Sequence, residues 1–228
     1  MIPTLNEERF LPGCLESLSQ QTFKDFEIII VDSGSKDATL RIARKYTKKI
    51  VYEPKLGFAI AKNRGAKEAR GDILVFTDAD SLYPGSWLES IAKHFEDRDV
   101  VAVGGPLVPI ENRLRHRLMF KLTTDYIARV MKVFGFVIFQ APNSSFRRDA
   151  FEKAGRFNEK MRMLEDNEFP NRIKKLGKVV FDPSLAIQSS ARRFEKVGYF
   201  METLRYWKAY FDLYVLKKSL SEEYKLYR

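Results

Sequence analysis

Two carboxylates one residue apart, in Asp78-Ala79-Asp80, follow directly on a short apolar run at residues 73–76. Just past a buried strand, such a pair can converge on one divalent cation, a hard ion that takes oxygen ligands, retains waters and bridges a diphosphate. An Asp-X-Asp taken alone is equally at home in a turn or a helix cap, because Asp favours both places. Asp32 closes a second apolar run, residues 26–31. A carboxylate there can accept from a base N–H or from ribose hydroxyls; its competing role is an Asx-turn. Glu165 and Asp166 open a segment of helical period, where two carboxylates also complement the helix dipole. Arg192 and Arg193 carry planar forks that match diphosphate oxygens, with ordinary surface arginines as the alternative.

The elements that must position these groups change character along the chain. The first 112 residues alternate short β-branched runs with longer stretches of helical period, which argues for a parallel, layered α/β sheet. Strands are expected at 26–31, 50–52 and 73–76. Helices are expected from Ser35 or Asp37 to about Tyr46 and over 58–69, with Pro84 in the first turn of another. Polar clusters therefore follow strand ends at 3–7, 32–37 and 78–81, the edge where open α/β sheets bind ligands. After Val108 the alternation stops. Residues 113–134 read as a helix with a broad apolar face, 143–147 and 179–181 as strands, 165–176 as a helix and 198–218 as a long terminal helix. No repeat or linker interrupts this order, so the expected organisation is one domain, 1–228, with functional halves 1–112 and 113–228.

Hydrophobic residues make up 45% of the 228, enough for a full core and too many for a disordered chain. No apolar stretch approaches the roughly 20 residues of a spanning helix, and no signal-peptide pattern is visible. Cys14 is the single cysteine, which excludes a disulfide framework or a cysteine-based zinc site within the chain. A cytoplasmic protein fits these features, with Cys14 as buried filler. Charge divides unevenly: residues 1–112 hold 15 Lys and Arg against 17 Asp and Glu, net −2, while residues 113–228 hold 25 against 13, net +12. That asymmetry suggests a metal-using half and a half that meets an anionic partner; a charge-rich solvated surface is the alternative. A nucleic-acid binder would show basic-aromatic strands or a recognition helix, and a dinucleotide oxidoreductase a G-x-G-x-x-G after a strand. A sugar-phosphate nucleotidyltransferase would carry a Gly-rich loop with Arg and Lys near the N-terminus. None of these is present. His94 and His116 lack neighbours at metal-ligand spacing and are read as structural, and Trp87 as core.

Four stretches in one order carry a resemblance: IPTLNEERFLPGCLESL at 2–18, IIIVDSGSKDAT at 28–39, GFAIAKNRGAKEARGDILVFTDADS at 57–81 and NSSFRRDAFEKAGRFNEKMRMLEDNEFPNRIKKLG at 143–177. Together they resemble glycosyltransferase family 2, with its GT-A nucleotide-sugar-binding fold, a mostly parallel central sheet flanked by helices. The resemblance implies an inverting enzyme that passes a sugar from a nucleotide diphosphate donor to an acceptor, with Mn or Mg as cofactor. It implies that Pro3, Thr4, Leu5, Asn6 and Glu7 line the nucleotide pocket, that Asp32 contacts the base and that Lys62 lies near base or phosphates. Asp78 would meet ribose or metal, and Asp80 would be the principal metal ligand. Asp166, with Glu165 beside it, would be the general base, since a sugar hydroxyl is a poor nucleophile until its proton is removed.

Three features depart from the family pattern. Relatives usually carry several apolar residues before the Pro-X-X-Asn-Glu stretch, whereas this chain starts at Met1, so either that strand is truncated or the start is incomplete. Gln188 stands where many relatives have a metal-binding His, so ligation would rest on Asp80 and the diphosphate. The Gln-X-X-Arg-Trp motif of processive synthases is absent. A lipid phosphate is already ionised and needs no base, so Glu165 and Asp166 favour a hydroxyl acceptor, such as a sugar already on a lipid carrier. Transfer to a polyprenyl phosphate, or a non-enzymatic basic protein that binds nucleic acid or a membrane surface, are the alternatives.

Two apolar stripes bear on the partner. Leu118, Leu122, Tyr126, Val130 and Phe134 recur at helical spacing, flanked by Arg113, Arg115, Arg117, Lys121, Arg129 and Lys132. Phe200, Leu204, Trp207, Phe211, Tyr214 and Val215 form the second, with Glu202, Arg205, Lys208 and Asp212 off it. Packing on the sheet or on another copy is one reading; peripheral docking on an anionic inner membrane face is the other.

Overall fold

The computed structural model describes residues 1–215. Residues 216–218 of the expected terminal helix lie outside the described set, as do the side chains of Arg193, Phe200, Glu202, Trp207, Tyr214 and Val215. Strands β1 (Ile2–Thr4), β2 (Ile30–Asp32) and β3 (Ile50–Tyr52) pair in parallel with β2 in the middle. The connections that parallel strands require are α1 (Leu11–Ser19) and α2 (Thr39–Ala43), and α3 (Phe58–Glu68) leads on to β4 (Ile73–Phe76). Met1 N donates to Val75 O at 2.8 Å and Thr77 N donates to Met1 O at 3.1 Å, which joins β1 to β4. β8 (Ser144–Arg147) then runs antiparallel between β4 and β6 (Val100–Gly104), and β9 (Lys178–Phe181) lies parallel to β6. The strand order is β3-β2-β1-β4-β8-β6-β9. The first half is therefore parallel as its alternation predicts, and β8 makes the second half mixed.

Successive strand residues point to opposite faces. Leu74 and Phe76 join one core cluster with Phe146, Phe151, Phe157 and Phe169; Ile73 and Val75 pack on the other with Leu11, Leu15, Trp87 and Ile91. Helices thus cover both sides of the sheet. Cys14 on α1 and Trp87, the first residue of α4 (Trp87–His94), are buried, as expected. α2 starts later than its sequence suggests, and it ends earlier because Lys45 N and Tyr46 N bond three residues back, to Ile42 O and Ala43 O. Ser35 Oγ donates to Asp32, while Asp37 ties Thr39 N at 2.9 Å to Glu8 N at 3.1 Å.

A smaller sheet sets β10 (Ile187–Ser189) between β5 (Ser81–Leu82) and β7 (Leu107–Pro109), antiparallel to the first and parallel to the second. The helix expected at 113–134 forms as α5 (Leu114–Phe120), a π-helical turn over Lys121–Tyr126 and α6 (Ile127–Val133). α7 (Arg148–Lys153) follows β8, and α8 (Glu165–Ile173) begins where its two carboxylates predict. The terminal helix differs from expectation. Gly198, at φ +90°, separates α9 (Arg192–Val197) from α10 (Tyr199–Tyr210), a backbone conformation open to glycine. The inner face of α10 and the residues after it also differs from the anticipated stripe: Tyr206, Ala209, Tyr210 and Leu213 pack on Met161, Met163 and Leu164, while Leu204 and Phe211 are exposed. No helix among the described residues is long and apolar enough to cross a membrane.

Candidate active site

β1 and β2 end side by side, Thr4 opposite Asp32, and their loops are laced together. Asp32 is buried; its Oδ1 accepts from Thr4 Oγ1 at 3.1 Å and Ser35 Oγ at 2.5 Å, and its Oδ2 from the N–H groups of Gly34 and Ser35, both at 2.9 Å. Those four bonds fill the acceptor sites of a carboxylate, so the Asx-type turn is realised and a base contact would require one hydroxyl to give way. Asn6 holds a left-handed φ of +56°, uncommon without glycine and sustained where the surroundings over-determine it. Its N–H donates to Ser35 Oγ at 2.9 Å, its Oδ1 accepts from Lys36 N at 2.8 Å, and Glu7 N donates to Thr39 Oγ1 at 2.7 Å. Residues 3–7 thereby form one rigid rim with the loop after β2.

The turn after β4 carries the two aspartates to the same edge. Tyr83 Oη accepts from Asp78 N at 3.2 Å, and Ser190 N donates to Asp80 O at 3.1 Å because β10 pairs with β5. That pairing also delivers the start of α9. Arg192 donates from Nη1 and Nη2 to the two oxygens of Glu7 at 2.9 and 2.8 Å, places Nε 2.9 Å from Asp80 Oδ2 and stacks over Phe10 at 4.5 Å. Burial pushes the Asp80 carboxyl up to about 6; Asp78 and Glu7 add to the rise, and Arg192 opposes it. Gln188 is exposed on β10. Among the described residues no group of three or more His, Cys, Asp or Glu side chains is arranged to hold a metal ion. His94 instead meets Asp182 at 2.7 Å, and His116 is buried.

On the other flank, Lys62 is fully buried and its Nζ donates to Glu165 Oε1 at 3.0 Å. Burial works against its charge, yet Glu165, Asp78 and Asp166 together hold its pKa above the ordinary lysine value. One ammonium therefore senses carboxylates from both halves of the chain. Its neighbour Asn63 is buried too, donating to Phe157 O at 2.9 Å and Glu159 Oε1 at 3.0 Å. The Lys62-Asn63 pair thus clamps the acceptor-side segment onto α3. Leu164 at φ +60° redirects the chain into α8. Asp166, half-buried, accepts from Asn167 Nδ2 at 2.9 Å, and Asn167 Oδ1 accepts from Tyr210 Oη at 3.1 Å. Burial, then Glu165, push the Asp166 carboxyl up to about 7 against the pull of Lys62.

This arrangement places Glu7, Asp78, Asp80 and Arg192 at one sheet edge and joins Asp78 electrostatically to the Lys62–Glu165–Asp166 group. The family model described as Glycosyl transferase family 2 matches residues 1–155. The chain belongs to glycosyl transferase family 2. A PGL/p-HBAD biosynthesis glycosyltransferase of Mycobacterium bovis is 32% identical over 183 residues, covering 74% of this chain and 66% of its own length. The uncharacterized glycosyltransferase EpsJ of Bacillus subtilis is 28% identical over 185 residues, covering 74% and 53%. The chain spans about half to two thirds of the length of these curated relatives. Among solved structures, the mannosyltransferase PcManGT from Pyrobaculum calidifontis, in complex with GDP-Man and Mn2+, superposes with a TM-score of 0.67 at 24% identity, covering 90% of this chain and 63% of that one. S. aureus TarS 1-349 in complex with UDP-GlcNAc gives 0.67 at 22%, covering 84% and 57%. The fold is accordingly the GT-A fold of family 2. Three features of this family 2 site have no mark in the sequence: the Glu7–Arg192 fork, the Asn63 clamp and the left-handed Leu164. The first spans 185 residues; the others show only as an Asn and a Leu in ordinary company.

Proposed function

We propose that the chain is a metal-dependent, inverting glycosyltransferase that moves a sugar from a nucleotide diphosphate sugar to a hydroxyl acceptor carried on a lipid. The observation behind this reading is that the buried Lys62 ammonium, bonded to Glu165, feels Asp166 from one carboxylate set and Asp78 from the other, and Asp78 in turn acts on Asp80 together with Glu7. The donor class is supported by structural neighbours bound to GDP-Man and UDP-GlcNAc. Asp80, assisted by Asp78, would hold Mn2+ or Mg2+. Hard carboxylate oxygens suit either ion; burial is the main cause of the raised Asp80 carboxyl, and the repulsion from Asp78 and Glu7 that adds to it is what a divalent cation would relieve. When bound, such an ion supplies neutralising charge to a departing diphosphate.

The remaining steps belong to the chain's own residues. The rim of Pro3, Thr4, Leu5, Asn6 and Glu7 with Asp32 receives the nucleoside. Arg192, already beside Asp80, turns its fork toward phosphate oxygens, with Arg193 next to it in sequence. Asp166 takes the proton of the acceptor hydroxyl as that oxygen attacks the anomeric carbon. The bond to the diphosphate breaks on the opposite face, its electron pair leaves with the phosphate oxygen, and the centre inverts. A carboxyl raised toward neutrality is matched to that proton. Lys62 acts through Glu165 to position Asp166. The test is calorimetric titration of UDP- and GDP-sugars with and without Mn2+, alongside a transfer assay. Asp80→Ala should lose metal-dependent donor binding and transfer; unchanged activity in that variant, or full wild-type activity in a chelator, would refute the metal assignment. Efficient transfer to a bare polyprenyl phosphate would overturn the hydroxyl acceptor.

A further inference from the structure

The outward face of the arm formed by α5, the π-helical turn and α6 is left uncovered. Leu114, Leu118, Leu122, Tyr126, Val130 and Phe134 recur every four residues and are 37% to 71% exposed, whereas His116, Phe120, Thr124 and Ala128, two positions out of phase, are buried. A four-residue repeat creeps around an ordinary helix of 3.6 residues per turn. The wider π-helical turn at Lys121–Tyr126 takes that creep back, so one apolar stripe runs along the whole arm. Arg117, Lys121 and Lys132 flank it and make no ion pair among the described residues. Between 113 and 134 the sole acidic residue is Asp125, which is held by Arg129 Nε at 2.5 Å.

We propose that this arm is a docking face for an anionic lipid bilayer. A second copy placed face to face would oppose like charges. Residues 216–228 carry four Lys and Arg against two Glu, so they bring no counter-charge either. An anionic bilayer offers both complements at once, an apolar interior for the stripe and negative headgroups for its cations. The arm also reaches the site. Phe120 packs on Phe194 of α9 with ring centroids 5.7 Å apart, Arg113 Nη1 meets Glu195 Oε1 at 3.0 Å, and Arg192 at the head of that short helix holds Asp80 and Glu7. Docking would keep the site one helix from the surface on which a lipid-linked acceptor is presented. The proposal rests on the transferase reading only for that acceptor; the membrane contact itself needs no chemistry.

Co-sedimentation with vesicles of phosphatidylcholine alone, or mixed with phosphatidylglycerol, tests it at low and high salt. The protein should pellet with the anionic vesicles, weakly at high salt, and stay in solution with the neutral ones. Leu118→Ser/Leu122→Ser and Arg117→Glu/Lys121→Glu change exposed residues outside the site. Each should lower vesicle affinity by about tenfold or more with circular dichroism and nucleotide binding unchanged. No association with anionic vesicles at low salt would overturn the proposal. So would equal binding to neutral ones, or a lipid-free dimer in sedimentation equilibrium that the double serine variant dissolves. Nucleotide-sugar titration on the same samples separates the two readings. Vesicle binding without any nucleotide-sugar binding removes the donor reading and leaves the docking face; the converse removes the docking face alone.

Discussion

A carboxyl enclosed beside another carboxyl resists ionisation, and Asp166 is in that position. It can accept a proton only when ionised, so transfer should rise with pH through neutrality and level off above it. Asp166→Asn should retain donor affinity, lower turnover by at least about a hundredfold and abolish that rise, as steady-state kinetics against pH would show. The same shift acts on stability with the opposite sense. The folded pKa of about 7 lies above the ordinary value of 3.8, so between them the native state binds more protons than the unfolded chain. The resulting stability is complete at acid pH and is lost as pH rises through the folded pKa. Thermal melts should therefore find Asp166→Asn above the parent at about pH 8 and close to it at about pH 4. A variant that melts lower at the alkaline end would identify Asp166 as a cap of α8.

At the level of elements, α3 and α8 meet through Lys62 and Glu165, 103 residues apart in sequence. Both side chains are buried, so removing one partner strands the charge of the other. Lys62→Met should destabilise the protein by about 3–5 kcal/mol, whereas Lys62→Met/Glu165→Met should recover most of that loss, because a buried pair can be replaced by apolar groups at little cost. Urea unfolding of Lys62→Met, Glu165→Met and the double variant decides it, since additive losses would mean that the pair is not coupled. Turnover in the double variant should still fall, as α8 would then lack the contact that orients Asp166. The buried bond to Glu165 thus gives Lys62 a structural task, holding α8 against α3, beside the base or phosphate contact expected of it.

For the whole molecule, the division at residue 112 is one of charge. β8 lies between β4 and β6, and β10 between β5 and β7, so strands from the second half complete both sheets of the first. Neither half can close its sheet alone. Urea unfolding of a Trp207→Phe variant, which leaves Trp87 as the single tryptophan, should accordingly show one transition, with fluorescence and far-UV circular dichroism coincident. Two separate transitions would mean that the halves fold independently. Trp87 suits this purpose because it is buried and its Nε1 donates to Asn143 Oδ1 at 3.1 Å, across the boundary between the halves.

Local chemistry made part of this protein legible in its amino-acid sequence. The apolar run of β4 ending at Asp78-Ala79-Asp80, the helical period of α3 and the carboxylates opening α8 each occupy a few consecutive residues, and each forms where its pattern lies. The family followed from the order of such pieces. Tertiary structure alone decided that Lys62 bonds Glu165, that Arg192 links Glu7 to Asp80, and that β8 enters the sheet antiparallel. It also decided which apolar stripes are covered: Leu118, Leu122, Leu204 and Phe211 remain exposed, while Tyr206, Ala209 and Tyr210 turn inward. Periodicity shows that a helix has an apolar face, but whether another surface meets that face depends on the assembled sheet. Pairings between residues more than a hundred positions apart arise in the same way, and no short pattern in the chain records them.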